Sequence, residues 1–310
     1  MRSALPVVAH MAVWAGLYVA AGVVCFAQIA GLTPLLEPGT WLQAVAFAFC
    51  LAVAVYLLDR VKLCDAWLDP ADELAHPRRY AFLAARTRTV RWLIAALLVL
   101  ATILGERLGR GVIAWGGWLP VGAVAGVLIY AARPRQARPR PKDRLLIKNL
   151  YVGTGITGFA ILTTLTAVLP HGSVSQLRAF LAPHFAPMGF SAGHLLLRVC
   201  ADAVLCDLDD EAADRQHGTH TLPGRVGRER AWNLAVGLRL GLAVLLALAA
   251  GGFPTVPAVA MWCWAGVTVV SSIALRWAAP AQVRDWVDAR FALEAIVTWF
   301  VLSFAHLAGP

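Results

Sequence analysis

Charge is what this chain has least of. Only 15% of its 310 residues are Asp, Glu, Lys or Arg, whereas 59% are apolar. A water-soluble domain carries about 25% charged and 45–50% apolar residues, so a soluble globular fold is excluded. Cysteine spacing is also uninformative. The six thiols (Cys25, Cys50, Cys64, Cys200, Cys206 and Cys263) are scattered, mostly in apolar runs. No Cys-x-x-Cys or Cys/His spacing is present, which removes zinc sites and leaves the cysteines as small apolar packing residues. No low-complexity linker and no stretch fit to be a separate soluble domain occurs. The nearest candidate, the basic run 133–142, is too short to fold alone and reads as a solvated loop. The net charge of +9 does not point to nucleic acid, because the basic residues sit between apolar runs, as the positive-inside rule requires.

Long apolar segments are what the chain does have. Nine of them, roughly 6–30, 41–58, 91–106, 112–132, 145–170, 177–206, 230–250, 255–276 and 286–308, reach or approach the length needed to cross about 30 Å of hydrocarbon. The third is the shortest. Met1-Arg2-Ser3 leads directly into the first segment with no small-residue cleavage site, so that segment reads as a span rather than a removed signal peptide. Pro34 and Pro38, Gly105 to Gly111, Pro170 to Gly172 and Gly251 to Pro254 punctuate the turns. The expectation is an all-α polytopic membrane protein of nine helices, with residues 1–310 as one domain.

Lysine and arginine orient it. With a cytoplasmic N-terminus, the loops at 59–91, 131–148, 207–230 and 276–290 share one side. They carry Arg60, Lys62, Arg78, Arg79, Arg86, Arg88 and Arg91; then Arg133, Arg135, Arg138, Arg140, Lys142, Arg144 and Lys148; then Arg215, Arg225, Arg228 and Arg230; then Arg276, Arg284 and Arg290. The opposite side holds Arg107, Arg110 and Arg178. This asymmetry places the basic side in the cytoplasm, and a bacterial-type cytoplasmic membrane is expected.

Two acidic runs interrupt the apolar pattern. Asp207, Asp210 and Asp214 follow one another at helical spacing after the sixth span, with Asp202 just upstream, and share a face. The run from Asp59 to Glu73 ends the second span; in it Asp65 and Asp69 stand at i, i+4, one turn apart on one helical face, before Pro70 ends the helix. Crowded carboxylates repel unless cations sit among them. Hard divalent ions such as Mg²⁺ prefer such oxygens and bring substrate phosphates with them. Both runs end spans of the same direction, so they face one compartment and can clamp Mg²⁺ ions around a diphosphate. Lys148 heads the fifth span on that side, followed by Asn149. It serves either as a snorkelling anchor or as a point charge on phosphate. His194 and Arg198 line the cavity or pair inside the bundle, Arg239 and Glu294 pair with each other, and the tryptophans are belt or packing residues.

At this point the residues resemble a family. Cys206-Asp207-Leu-Asp-Asp210-Glu-Ala-Ala-Asp214-Arg215-Gln-His-Gly218-Thr-His-Thr221-Leu222-Pro223, then Gly227, is similar to the second Asp-rich motif of the UbiA superfamily of intramembrane prenyltransferases. The run Asp59 to Asp69 resembles the first motif, and Lys148-Asn149 the lysine of the central helices. Asp202 stands where relatives often carry Asn. The resemblance implies a helical bundle around a central cavity open to the cytoplasmic rim and to lipid. It implies Mg²⁺-dependent transfer of an isoprenyl group from a polyprenyl diphosphate to an aromatic or other lipophilic acceptor. Its metal ligands would be Asp59, Asp65, Asp69, Asp207, Asp210 and Asp214, with Lys148, Asn149, Arg60 and Arg215 toward the donor. The first motif departs from the family: Val61 and Lys62 occupy its Asn-Asp positions, so either Asp59 substitutes as ligand or the donor site is altered. Nothing selects the acceptor or the donor length. A cation-coupled transporter would place its carboxylates near the midplane at broken helices or repeats. A CDP-alcohol phosphotransferase would concentrate them in one motif. A family member with altered catalysis, kept as a scaffold, is the remaining alternative.

Overall fold

A computed structural model of the chain describes residues 10–65, 68–110, 116–131, 144–145, 147–277 and 283–307. The basic run 133–142, read above as a solvated loop, lies outside the described residues. Among the described residues nine long helices follow one another: α1 (Val13–Ile29), α2 (Pro38–Val61), α3 (Thr87–Leu108), α4 (Leu119–Ala131), α5 (Ile147–Val168), α6 (Val174–Gln216), α7 (Arg228–Ala249), α8 (Thr255–Ala274) and α9 (Val283–Leu307). Among the described residues, six helices are long and apolar enough to cross a membrane: α2, α3, α5, α6, α7 and α8; α1 and α4 are apolar but shorter. No strand occurs among the described residues, as a bilayer requires of a chain that must satisfy its backbone within each segment. The protein is a multi-pass membrane protein of all-α fold.

Three boundaries differ from those expected. The third span is not short: α3 runs 22 residues from Thr87 to Leu108, because the helix continues through residues 87–90 before the expected start and through Arg107 and Leu108 after the expected end. The sixth does not stop at 206. α6 runs unbroken for 43 residues to Gln216, so the second acidic run is its last turns rather than a loop. Its start is fixed by a capping box, in which the Ser173 hydroxyl accepts from Gln176 N and the Gln176 side chain accepts from Ser173 N. The helix of α2 does not run on to Asp69. α2 ends at Val61, and Lys62 turns the chain at φ 53°. Asp65 and Asp69 therefore share no helical face; a short helix begins only at Pro70, with Asp69 as its N-cap.

α1 is the central post. It packs on α2, α5, α6, α8 and α9, and most of its residues from Ala15 to Ile29 are buried. Around it α2 packs on α3, α7 on α8, and α5 on α6, while α6 also packs on α7. Where helices meet most closely the contact residue is small. A Cβ on Gly153 of α5 would lie 2.7 Å from Cys200 Sγ of α6. Far from the acidic runs, Gly109 adopts φ +142° and a Cβ there would stand 2.4 Å from Pro170, so no other residue fits that turn. Trp92, Leu248, Trp262 and Phe304 are exposed on the outside, the surface that faces lipid, whereas Trp264 is fully buried as packing.

Candidate functional site

The C-terminal ends of α2 and α6 and the N-terminal ends of α5 and α9 meet at one end of the bundle. This is the meeting that their alternating direction predicts. There they bound a cleft of about 520 Å³, including its opening to solvent, lined among others by Asp59, Arg60, Asp69, Asp72, Lys148, Asp210, Asp214 and Arg284.

Because α6 stays helical through Gln216, Asp207 and Asp214 lie on one face and both reach Lys148 of α5. Lys148 Nζ is 2.5 Å from Asp207 Oδ1 and 3.9 Å from Asp214 Oδ2. Asp207 is only 1% exposed. Its Oδ1 meets the ammonium of Lys148, whereas its Oδ2 and Oδ2 of Asp214 accept no hydrogen bond among the described residues. Buried carboxylate oxygens without hydrogen bonds are rare and ask for an explanation. Here an ammonium ion already lies between them.

Asp210 is held differently. Arg284 Nη2 donates to its Oδ2 at 2.6 Å, and His76 Nε2 lies 2.8 Å from its Oδ1. The backbone N–H of Arg284 also donates to Asp209 Oδ2 at 2.9 Å, which fastens the start of α9 to α6. His76 belongs to the segment between α2 and α3. Burial lowers its pKa; the bond to Asp210 opposes this, while Arg284 and Arg79 add to it, and the net shift is downward. A neutral imidazole can donate through Nε2 to Asp210. Burial, together with the guanidinium groups of Arg60 and Arg284, pushes Arg79 down to about 9, and its Nη2 has no hydrogen-bond partner among the described residues. The carboxylates of Asp72 and Asp210 oppose that shift without reversing it.

The α2 side completes the cleft. Lys62 Nζ donates to Asp59 at 2.6 Å, Arg60 donates to Asp72, and Asp69 accepts from Ala71 N at 3.1 Å. Tyr130 of α4 lines the same cleft and stacks on Tyr151 of α5, with ring centroids 4.5 Å apart.

The structure therefore brings together Asp59, Arg60, Asp69, Lys148, Asp207, Asp210 and Asp214. It does not bring three expected residues. Asp65 is turned outward, its side chain 68% exposed and bonded to Arg91 Nη2 at 2.7 Å, because the chain leaves the helix at Lys62. Arg215 is 71% exposed and paired with Glu211 at 2.7 Å, since it follows Asp214 by one residue and so points away from its face. Asn149 is buried and does not line the cleft; its backbone carbonyl accepts from Cys200 Sγ of α6 at 3.4 Å. Asp72, His76, Arg79, Tyr130 and Arg284 were missed as site residues. Asp72 and Arg284 were visible only as members of a charged run and a topological charge; His76, Arg79 and Tyr130 carried no signal beyond their neighbours.

The donor set can be tested against Mg²⁺. Among the described residues no three carboxylate, imidazole or thiol side chains already converge to hold an ion unaided. Mg²⁺ does not need that, because it takes one or two carboxylates and completes its shell with phosphate oxygens and water. The unbonded oxygens of Asp207 and Asp214 supply that number of hard donors beside an existing cation. The residues fit such an ion.

No family model and no curated protein matches the chain. Solved structures do match in fold. A UbiA homologue from Archaeoglobus fulgidus bound to GPP and Mg²⁺ superposes with a TM-score of 0.59 at 11% identity, over 95% of this chain and 99% of the other. The same homologue bound to DMAPP and Mg²⁺ gives 0.57 at 12%, over 95% and 99%. A structure of digeranylgeranylglyceryl phosphate synthase gives 0.52 at 12%, over 97% and 98%. Nearly the whole chain therefore has the fold of the UbiA-type membrane prenyltransferases.

Proposed function

We propose that this protein is a Mg²⁺-dependent prenyltransferase that moves an isoprenyl group from a polyprenyl diphosphate to an aromatic or other lipophilic acceptor within the membrane, residues 1–310 acting as one unit. The observation that carries this reading is the cleft itself. Carboxylates with unbonded buried oxygens, Asp207 and Asp214, sit among Lys148, Arg60 and Arg284 at the end of an apolar bundle. A diphosphate with a long hydrocarbon tail requires that combination, a charged rim above an apolar interior. The UbiA homologue with the same fold binds GPP or DMAPP with Mg²⁺, which supports the donor class.

In this reading Mg²⁺ held by Asp207 and Asp214 supplies charge neutralisation to the diphosphate. The chain's own groups do the rest. Lys148 leaves Asp207 to bind phosphate oxygen as a point charge. Arg284 and Arg60, set by Asp210 and Asp72, orient the diphosphate, and the unbonded Nη2 of Arg79 gains an anionic partner. Charge that builds on the leaving diphosphate as the allylic C–O bond breaks is met by cations fixed beforehand, the arrangement that lowers such barriers most. The acceptor then attacks the allylic carbon from the apolar side. The positive-inside distribution supports a cytoplasmic rim, and the reading takes the membrane as a bacterial-type cytoplasmic one with lipid as the surrounding partner.

The test is release of diphosphate from geranyl, farnesyl and geranylgeranyl diphosphates by purified protein, with Mg²⁺ and with EDTA, across an acceptor panel. Mg²⁺-dependent release tied to an acceptor is expected. No release and no Mg²⁺-dependent donor binding would move the protein to the scaffold reading. In the same assay Asp65→Ala is expected to stay within about twofold of wild type, as exposed substitutions do. A large loss there would mean that the segment after Lys62 closes differently on the donor.

A further inference from the structure

Deeper in the bundle lies a second ionic cluster, which the proposed reaction does not use. Asp202 of α6 accepts from Tyr18 Oη of α1 at 2.9 Å, from Arg290 Nη2 of α9 at 3.0 Å, and from Arg239 of α7. Glu294 of α9 accepts from Arg198 of α6, from Ser271 of α8, and from Arg239 Nη2 at 3.4 Å. Arg198 Nη1 donates to Thr268 Oγ1 at 2.9 Å, Arg239 Nε to Ser272 Oγ at 3.1 Å, and the Arg198 guanidinium lies 4.2 Å from the Phe291 ring centroid. The five charged side chains are all buried. Each carboxylate binds three donors from three helices, and together they join α1, α6, α7, α8 and α9.

Such a cluster is a poor way to gain stability. Removing charges from water offsets most of their attraction, and well-packed apolar groups of the same volume hold helices as firmly or better. The cluster also holds three arginines against two carboxylates, and Nε and Nη1 of Arg290 have no hydrogen-bond partner among the described residues. Directional bonds do something that apolar contacts do not: they admit one rotation and one height of each helix. That matters for α6 above all. Its first half carries Pro183 and Pro187, which cannot donate backbone hydrogen bonds. After the prolines Ser191 donates to Phe26 O of α1 and Arg198 to Thr268 and Glu294; Asp202 is the last of these interior bonds before Asp207, about one and a half turns away, and a slip of one residue turns a helix by about 100°. Asp207 and Asp214 would then leave Lys148.

We propose that the buried cluster centred on Asp202 and Glu294 sets the rotation and height of α6, and that Asp202 is a positioning residue for the carboxylates Asp207, Asp210 and Asp214. The metal arm of the test rests on the function proposed above; a cross-linking arm does not. The variant Asp202→Leu/Arg239→Met/Arg290→Met/Tyr18→Phe removes the Asp202 half with its partners and leaves Arg198 paired with Glu294. Thermal stability at or above wild type is expected, with Mn²⁺ binding in the presence of inorganic pyrophosphate weakened about tenfold, the loss typical when a ligand's supporting contacts go. Independently, Gly153→Cys faces Cys200, whose Sγ lies 2.7 Å from the position of the new Cβ. Its disulfide with Cys200 is expected to form about tenfold more slowly in the variant than in the wild-type background, because a turned α6 carries the two sulfurs out of bonding geometry. Wild-type Mn²⁺ affinity together with wild-type cross-linking would overturn the proposal. So would failure of the variant to fold, since the cluster would then serve stability, and so would weakened Mn²⁺ binding with unchanged cross-linking, since charge rather than register would then be at work. If the wild-type protein binds no Mn²⁺, the metal reading fails and the cross-linking arm alone decides.

Discussion

Asp207→Ala and Asp210→Ala are each expected to lower turnover by about 100- to 1000-fold or more, the range seen when one preorganised electrostatic group is lost from a reacting centre. The two fail for different reasons. Asp207 is buried beside Lys148 with an unbonded Oδ2. Removing it takes away a donor oxygen and frees Lys148, so the Mg²⁺ concentration required should rise. Asp210 is fully engaged by Arg284 and His76. Removing it releases the end of α9 and the segment carrying His76, so donor KM should rise as well. Steady-state kinetics over Mg²⁺ and donor concentrations separate the two, and purification yield and thermal unfolding in detergent show whether each variant is folded. Retained activity in both variants would refute the assignment of the α6 carboxylates.

The second large effect is on stability. Glu294→Ala is expected to cost about 3–5 kcal/mol, the usual result of breaking a buried ion pair from one side. Glu294 binds Arg198, Arg239 and Ser271 in the interior. Its loss strands positive charge where Asp202 is already saturated by Tyr18, Arg239 and Arg290. Thermal unfolding followed in detergent measures this, and a midpoint within a few degrees of wild type would show that water reaches the cluster. The effect is opposite in sign to that expected when the Asp202 half is replaced as a unit by apolar groups, and the contrast is the point. The cost comes from leaving a charge alone, not from lacking an ion pair.

Much of the site was legible because helical spacing survives folding. Asp207, Asp210 and Asp214 form one face since the sixth apolar run continues as helix through them. Lys148 meets them because spans of opposite direction start and end at the same side. The Arg239–Glu294 pair was also foreseeable, since two opposite charges inside apolar runs have few other partners. The first acidic run was misread for an equally physical reason. Spacing of i, i+4 specifies a face only if the helix persists, and the turn at Lys62 with φ 53° is a local conformational choice that residue types do not announce. Asp65 therefore went to Arg91 and solvent, and Asp72 took the place beside Arg60.

By itself the sequence determined the solvent of this protein, its helical class, the basic side and the end of the bundle where carboxylates collect. Those follow from composition and period, which each segment carries alone. Only the tertiary structure decided which carboxylates keep unbonded oxygens, which are bound by arginines from segments distant in the chain, and that Asp202 ties α1, α7 and α9 to α6. Hydrogen bonding is directional and short-ranged, so a charge's partner is fixed by the packing of helices and not by its neighbours in sequence.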